Sequence, residues 1–260
     1  MCSIVLLRRA GHRWPLIIGS NRDEMAERNS SPPGRHWPDR PGVIAPRDDL
    51  AGGTWLGVSD RGLVAAVLNR RNTLGPEIGR RSRGELPLIA LSYRDAREAV
   101  NALSSIDTHA YRSFNMIVGD SVDAYWLSAP EVAEDDATGA RRNAGWLEIN
   151  EVPPGVSMIT AYSLNDRASP RIRYHLPRFA AALEPDPDRG DWEAWAALLA
   201  SRESEAGAGA GGAMTVVTES GFGTTSSSLI ALSDPDSGCR PVWLFSNNGP
   251  GERAYHPVLP

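Results

Sequence analysis

Apolar residues near the start of the chain form two short runs, residues 3–7 and 14–19, with polar residues between them. Two such runs joined by a glycine-containing turn, here residues 11–13, are typical of a β-hairpin. The second run leads into Asn21-Arg22-Asp23-Glu24, and the hairpin would return this polar tetrad to a place beside Cys2. The pattern therefore predicts a cluster of chemically active side chains at one end of the first hairpin.

The same kind of pattern recurs along the chain. Residues 52–59 and 63–68 flank the turn signal at residues 60–62 and predict a second hairpin, which ends at Asn69. Residues 26–49, rich in Pro, Arg, Asn and Asp, predict a long surface loop. Further strands are predicted at residues 114–118, 124–127, 146–149, 156–162, 214–218, 226–232 and 242–245.

Helical spacing appears in two blocks. In residues 85–103, apolar side chains recur every three to four positions, which predicts one amphipathic helix. Residues 171–183 and 191–203 form the second block, with Asp191 expected to start the last helix. Antiparallel hairpins with helices in two blocks predict an α+β fold of two packed sheets covered by helical layers. We expect one domain over residues 1–260.

Composition and charge narrow the class of protein. The chain is 41% hydrophobic and 23% charged, which indicates an ordinary globular protein. Its net charge of −5 gives no electrostatic footprint for nucleic acid. No apolar run approaches the ~20 residues of a membrane span, and Arg8-Arg9 interrupt what would be the apolar part of a signal peptide. With two cysteines and therefore no secreted disulfide framework, we expect a cytoplasmic protein.

Several kinds of site are disfavoured by spacing. The five histidines lie far apart, and none forms an i, i+4 pair with a carboxylate, so no metal site is predicted. The Gly/Ala-rich residues 206–213 precede a predicted strand, whereas a dinucleotide loop follows one and opens a helix. Residues 226–228 are serines within a predicted strand and form no nucleophile elbow, which disfavours a serine hydrolase.

Cys2 carries the most specific chemical signal. If the initiator Met1 were removed, one residue would hold both a thiol and a free α-amine. An α-amine with an ordinary pKa of ~7.7–8 can act as the general base for a neighbouring thiol. We expect Asp23 to orient this amine, and Arg22 to favour the thiolate or to hold the substrate.

Other polar residues could complete such a site. The side-chain amides of Asn69 and Asn165 are candidates for stabilising an oxyanion. Candidates for substrate contact are Asn21, Glu24, Trp55 and Arg83. The plain alternative stays open: the tetrad would be a polar strand end with one salt bridge, Cys2 an inert strand thiol, Trp55 a core residue and residues 80–83 a solvated loop.

Five motifs, in order, resemble those of the NRDE family, the family of the Transport and Golgi organisation protein two homologues. They are Met1-Cys2, the tetrad at residues 21–24, Gly-Gly-Thr-Trp-Leu-Gly at 52–57, Arg-Gly-Glu-Leu at 83–86 and Phe114-Asn115. The second half is similar more loosely, around Leu164-Asn165 and residues 221–224. The resemblance implies a link to haem mobilisation or to lipid and acyl-coenzyme A metabolism. It implies no required cofactor, with haem as a candidate bound ligand.

The same layout is similar to that of the N-terminal nucleophile hydrolases of the choloylglycine hydrolase and penicillin V acylase group. This resemblance implies a four-layer αββα sandwich, with Asn69 as an oxyanion-hole residue and Asn165 as a second active-site Asn. One position departs from the pattern: the acylases place an Arg in a late strand, where this chain has Thr225. That leaves Arg22 as the one evident cation near Cys2.

Two hypotheses for the function follow. In the first, Cys2 is the nucleophile of an amidohydrolase that acts on a small acyl amide. In the alternative, the chain is a non-enzymatic carrier of haem, an acyl lipid or acyl-coenzyme A. Both imply a small-molecule ligand, and neither implies a nucleic-acid partner.

Overall fold

The computed structural model describes residues 2–131, 145–247 and 255–258. Contacts divide the chain into two compact units: Met1–Asn29 with Pro153–Pro260, here the first unit, and Ser30–Val152, here the second unit. Each unit is built on one antiparallel sheet. The single domain over residues 1–260 stays a prediction, and Met1, whose removal is expected, lies outside the described residues.

The two sheets and their helices confirm the predicted α+β class. The first-unit sheet has the strand order β10-β1-β2-β11-β12-β13, and the second-unit sheet runs from β3 to β9 in chain order. The strands are β1 (Ser3–Arg8), β2 (Leu16–Met25), β3 (Ser30–Gly34), β4 (Val43–Asp48), β5 (Leu56–Ser59), β6 (Val64–Asn69), β7 (Phe114–Gly119), β8 (Ala124–Ala129), β9 (Glu148–Glu151), β10 (Gly155–Ile159), β11 (Phe222–Leu232), β12 (Val242–Ser246) and β13 (His256–Pro257). The α-helices are α1 (Glu85–Ala90), α2 (Ala96–Leu103), α3 (Pro170–Ala181) and α4 (Glu193–Ala200).

The predicted first hairpin is confirmed and is longer than expected. Strands β1 and β2 pair from Ser3 opposite Asn21 to Arg8 opposite Leu16. Strand β2 continues to Met25 because β11 pairs with it along its whole length. The polar tetrad is therefore part of a central strand, with side chains that alternate between the two faces of the sheet.

One face of the first-unit sheet packs on α3 and α4. Because side chains alternate along a strand, Ser3, Asn21 and Asp23 share this helix-covered face with the apolar residues of β1 and β2. Phe179 and Trp195 meet edge to face on the helices, with ring centroids 5.3 Å apart. The buried cluster includes Val5, Leu7, Ile17, Ile172, Phe179, Trp195, Leu199 and Leu229. Each fully buried side chain of this kind contributes about 1.5–3 kcal/mol, which holds the helices on the sheet.

The single helix predicted for residues 85–103 is wrong in one respect, because the structure divides it into α1 and α2. Asp95 is extended and accepts a hydrogen bond from the Glu98 N–H, which starts a new helix at Ala96. The predicted inward-facing side chains are all buried: Leu88, Leu91, Ala96, Ala99, Val100 and Leu103.

Two other expectations are corrected. Residues 26–49, predicted as a loop, contain β3 and β4. Strand β3 lies at the edge of its sheet, where its two prolines are tolerated. Residues 214–218, predicted as a strand, make only an isolated bridge between Val217 and Gly223. Their backbone bonds outside the sheet instead, since the Thr215 N–H donates to the Ser201 carbonyl.

The helices are short. The helix α3 has 12 residues and α1 has 6, whereas a helix needs ~20 apolar residues to span a bilayer. Within the ranges that the structure describes, no helix is both long and apolar enough to cross a membrane.

The glycine motif of the second unit permits a close backbone crossing. A Cβ atom added to Gly53 would lie 2.5 Å from the carbonyl carbon of Gly84. At this crossing the Thr54 N–H donates to the Gly84 carbonyl at 2.8 Å. The motifs at residues 52–57 and 83–86 therefore meet as one structural element, which requires the missing side chain of Gly53.

His175 is a buried titratable residue of α3. Its Nε2 lies 3.2 Å from the Glu203 carbonyl oxygen, and burial lowers the pKa of the ring to about 4. An imidazole that is easier to protonate when the chain unfolds makes stability depend on pH.

We expect Gly53→Ala to destabilise the protein by about 1–3 kcal/mol, because the new methyl group forces two backbones apart. Urea unfolding monitored by tryptophan fluorescence measures this loss. Gly42→Ala is the matched control, since the nearest atom to its new Cβ is 3.6 Å away. Equal losses in both variants would contradict the crossing.

We expect His175 to weaken the fold in acid. The unfolded ring, with a pKa near ~6.5, binds a proton that the folded ring, with a pKa of about 4, excludes. Stability therefore falls as the pH drops from about 6.5 toward 4. In His175→Gln this contribution disappears, so urea midpoints of the two proteins should run parallel above pH 7 and diverge below it. Curves that stay parallel down to pH 4 would contradict the assignment.

Candidate functional site

The first hairpin brings Cys2 beside the polar tetrad. Cys2 precedes β1, is partly buried, and its Sγ lies 3.9 Å from the Asp23 carbonyl oxygen. The predicted proximity of these residues is confirmed. The tetrad itself is divided: Asn21 and Asp23 face the helices, and Arg22 and Glu24 lie on the opposite face.

Asp23 is held at both oxygens of its carboxylate. Its carboxylate is 0% exposed, and Oδ2 accepts a hydrogen bond from Arg171 Nη1 at 2.9 Å. The other oxygen, Oδ1, accepts from the hydroxyl of Thr224 at 2.6 Å. The Thr224 hydroxyl in turn accepts from the Val216 N–H at 2.9 Å. With a donor on each oxygen, the plane of the carboxylate is fixed.

Arg171 is a site residue that the sequence reasoning missed. It lies in the first turn of α3, which Ser169 caps by accepting from the Ile172 N–H. The side chain is 3% exposed, and besides Asp23 it reaches Ser3 Oγ at 2.5 Å and the Gly211 carbonyl at 3.1 Å. The spacing of residues 171, 175 and 179 was the available signal, because it places Arg171 on the buried stripe of the helix.

Arg22 contacts the residue that stands where an Arg was expected. Its Nη1 donates to Thr225 Oγ1 at 3.2 Å, and Thr225 Oγ1 lies 3.3 Å from the Arg22 carbonyl oxygen. Thr225 sits where the pairing of β2 with β11 shifts register. Arg22 therefore shares this strand end with a hydroxyl, while Arg171 adds a second cation on the other face.

The electrostatic surroundings of Cys2 do not favour a thiolate. Burial raises the pKa of the Cys2 thiol; the charge of Asp23 raises this pKa further, and the charge of Arg22 lowers it. The net shift is upward. A thiol of this kind needs a base before it can act as a nucleophile.

Asn21 and Glu24, both predicted to contact substrate, already have partners within the first unit. The Asn21 amide donates to the Leu199 and Met214 carbonyls at 2.9 Å each and accepts from Ser227 Oγ. Glu24 lies between two guanidinium groups, 4.0 Å from Arg22 and 3.8 Å from Arg28. These contacts give Asn21 a structural role; substrate contact by either residue stays a prediction.

Asn165 is fastened to β10, the strand next to β1. It has a positive φ of 59°, its Oδ1 accepts from the Met158 N–H at 2.8 Å, and its Nδ2 donates to Ser157 Oγ at 3.1 Å. A carboxamide has a second N–H to offer. The role of Asn165 as an oxyanion donor stays a prediction.

The remaining predicted site residues belong to the second unit. Asn69 ends β6, with Nδ2 3.4 Å from the Arg70 carbonyl. The Trp55 carbonyl accepts from the Val67 N–H at 2.9 Å. Arg83 donates to Thr73 Oγ1, the Thr73 carbonyl and the Ser113 carbonyl, so it clamps the loop that follows β6. Catalytic or substrate contacts of these three residues stay predictions.

In the Phe114-Asn115 motif of the second unit, Asn115 holds neighbouring strands together through its side-chain oxygen. Asn115 Oδ1 accepts from Arg70 Nη1 at 2.8 Å and from Trp126 Nε1 at 3.3 Å. Arg70 Nη1 reaches Ser128 Oγ as well, at 2.8 Å. This network joins β7 and β8 to the residue that follows β6.

Metal ligands are not grouped in the described parts of the chain. Among residues 2–131, 145–247 and 255–258, no three His, Cys, Asp or Glu side chains come together in a way that could hold a metal ion.

A known family matches most of the chain. The model of the family Transport and Golgi organisation 2 matches residues 1–234. A Transport and Golgi organization protein 2 homolog from Bos taurus is 33% identical over 115 residues, which cover 41% of this chain and 39% of that protein. The alignment therefore spans about two fifths of the length of this curated relative.

Solved structures share the fold. The N-acylethanolamine-hydrolyzing acid amidase ortholog of Caenorhabditis elegans superposes with a TM-score of 0.55 and 15% identity, covering 91% of this chain and 95% of that one. The C2A variant of the conjugated bile acid hydrolase from Clostridium perfringens gives a TM-score of 0.56 and 11% identity, covering 99% and 92%. At these identities the likeness shows the fold alone, and the predicted N-terminal nucleophile hydrolase fold is confirmed.

We expect Thr224→Val to destabilise the protein by about 1–3 kcal/mol, because it removes one donor to a buried carboxylate and leaves the Val216 N–H without its acceptor. Thr224→Ser keeps the hydroxyl and should stay within about 1 kcal/mol of the original. Urea unfolding of the two variants measures the difference. Similar losses would mean that the methyl group of Thr224, and not its hydroxyl, matters.

Proposed function

The chain belongs to the Transport and Golgi organisation 2 family, and from that premise we propose that it cleaves the C–N bond of a small acyl amide with Cys2 as nucleophile. The resemblance to the NRDE family is thereby confirmed. The observation that carries the proposal is the position of Cys2 Sγ, 3.9 Å from the carbonyl of Asp23, whose carboxylate is fixed by Arg171 and Thr224.

The state of the thiol supports the need for an adjacent base. Because burial raises the pKa of the Cys2 thiol, little thiolate forms at neutral pH without help. The α-amine that Cys2 gains when Met1 is removed would take the proton, because it belongs to the same residue as the thiol. Asp23 would orient this amine.

The proposed reaction has two halves. The α-amine takes the thiol proton, and Sγ attacks the amide carbonyl carbon, so that a C–S bond forms and the carbonyl electrons move to oxygen. Collapse of this tetrahedral oxyanion breaks the C–N bond, and the α-ammonium gives its proton to the leaving amine. Water, deprotonated by the α-amine, then attacks the thioester carbonyl carbon. The C–S bond breaks, the α-ammonium returns its proton to the sulfur, and a carboxylic acid and the free thiol are released.

The other predicted residues would assist the oxyanion and the substrate. Asn165 and Asn69 would donate to the oxyanion, as pre-positioned amide donors do in acyl transfer. Arg22 would hold the thiolate or an anionic group of the substrate. Names of the solved neighbours, an acid amidase that hydrolyses N-acylethanolamines and a conjugated bile acid hydrolase, are consistent with a small acyl substrate.

The carrier function, in which the same fold binds haem or an acyl compound without cleaving it, is the alternative. A haemin titration separates the two: a saturable shift of the Soret band that amide probes leave unchanged would favour the carrier.

We expect Cys2→Ala to abolish acylation by a panel of fluorescent acyl amides, because the nucleophilic atom is gone. Intact-mass spectrometry measures both the acyl adduct and the removal of Met1. Cys239→Ala is the matched control, since it removes the other cysteine of the chain, and it should acylate at the original rate. An adduct that persists in Cys2→Ala would rule out the assignment.

A second variant tests the amine. Insertion of Glu between Met1 and Cys2 keeps the thiol but turns its α-amine into a peptide nitrogen. We expect acylation to be lost in this variant while alkylation of the thiol by iodoacetamide continues. Full acylation activity would show that the α-amine is not the base.

A further inference from the structure

Arg171 joins three separate parts of the chain at the predicted catalytic carboxylate. Its Nη1 donates to both Asp23 Oδ2, at 2.9 Å, and Ser3 Oγ, at 2.5 Å. Its Nε donates to the carbonyl of Gly211, in the 3₁₀ turn Ala210–Gly212. One guanidinium group therefore ties β1, β2 and the Gly/Ala-rich residues 206–213 together.

We propose that Arg171 is a positioning residue, which fixes the direction and balances the charge of the Asp23 carboxylate so that this carboxylate can orient the α-amine of Cys2. The inference rests on the proposed function, because it concerns the same nucleophile and base. It goes beyond that function in assigning a task to a residue of α3 that need not touch the substrate.

The geometry supports positioning over simple packing. Each oxygen of Asp23 has its own donor, Arg171 on one side and Thr224 on the other, so rotation of the carboxylate breaks a hydrogen bond. The backbone of the same residue carries the carbonyl oxygen that lies 3.9 Å from Cys2 Sγ. A displacement of Asp23 would therefore change the contact between its carbonyl oxygen and the Cys2 thiol.

Charge supports the same conclusion. The negative charge of Asp23 raises the pKa of the Cys2 thiol. A neighbouring cation reduces the effective charge of a carboxylate, so Arg171 limits this unfavourable effect. His175, one turn along α3, contacts the backbone carbonyl oxygen of Glu203 and has a pKa of about 4, so it is neutral at the pH of the test. Among the described residues, the charged and titratable groups near the cluster include Cys2, Arg22, Glu24, Arg171, His175 and Tyr255, whose hydroxyl contacts Ser227 Oγ.

Lys and Gln replacements separate charge from geometry. Arg171→Lys keeps one positive charge but offers a point donor in place of a planar fork, so it cannot hold Ser3, Asp23 and Gly211 together. Arg171→Gln removes the charge and leaves Asp23 without its counter-ion. Arg173→Gln is the matched control, because Arg173 lies on the same helix in an exposed ion pair with Glu205.

The first measurement is the pH dependence of Cys2 alkylation by iodoacetamide, with Cys239 replaced by Ala. We expect Arg171→Gln to move the profile to higher pH by about 1 unit, because an unbalanced carboxylate disfavours the thiolate. Arg171→Lys and Arg173→Gln should leave it in place. The double variant Asp23→Asn/Arg171→Gln leaves no unpaired charge at this ion pair. Its profile should lie at lower pH than that of the original protein, because the charge that raises the pKa of the Cys2 thiol is gone. It also replaces Arg171→Gln if circular dichroism shows that the single variant is unfolded.

The second measurement is the rate of acylation by the amide probe. We expect Arg171→Lys to lower kcat by about 10-fold or more with KM unchanged, since misplacement of the base affects the chemical step. If the original protein is never acylated, the proposed function fails, but the alkylation profiles still decide the role of Arg171. Profiles that are the same in the original protein, Arg171→Gln and the double variant would overturn the inference.

Discussion

The ion pair between Asp23 and Arg171 is almost wholly removed from water, with side-chain exposures of 0% and 3%. A carboxylate buried without a partner is strongly destabilising, and loss of one member of such a pair typically costs about 3–5 kcal/mol. A cation in the first turn of a helix opposes the helix dipole by only about 0.3–1 kcal/mol. The position of Arg171 at the start of α3 is therefore tolerated because the buried pair outweighs the dipole. The exposed pair of Arg173 and Glu205, two residues along, contributes far less to stability, because water screens charges at the surface.

This pair also constrains the pairing of the first two strands. Ser3 and Asp23 reach Arg171 only because Ser3 lies opposite Asn21, two residues from Asp23 on the same face of the sheet. A slip of one residue in β1 would turn Ser3 to the opposite face, away from the helices. The guanidinium group thus stabilises the observed register of β1 against β2 next to Cys2, because only this register places Ser3 and Asp23 within its reach.

Local signals explain why the sequence predicted the hairpin, the buried stripe of α2 and the proximity of Cys2 to Asp23. The apolar runs and the turn between them lie within twenty-four residues, so their consequences do not depend on distant parts of the chain. Arg171 and the contact of Thr224 with Asp23 were not predicted, because the two residues bind Asp23 from 148 and 201 residues away in the chain. The break between α1 and α2 was missed for a different reason. Apolar periodicity continues through the break, and only the capping carboxylate of Asp95 marks it.

The division of the tetrad between the two faces of β2 determines which contacts are lost when one of its residues is replaced. Asn21 and Asp23 are bound to atoms of α3, α4 and β11, so a change at either position needs a compensating change far away in the chain. Arg22 and Glu24 contact neighbours on the other face, and their replacement leaves the ion pair with Arg171 in place. The four consecutive residues of the motif are thus two interleaved pairs with separate structural partners. Replacement of Asn21 or Asp23 therefore removes contacts with distant parts of the chain, whereas replacement of Arg22 or Glu24 changes the opposite face of the strand.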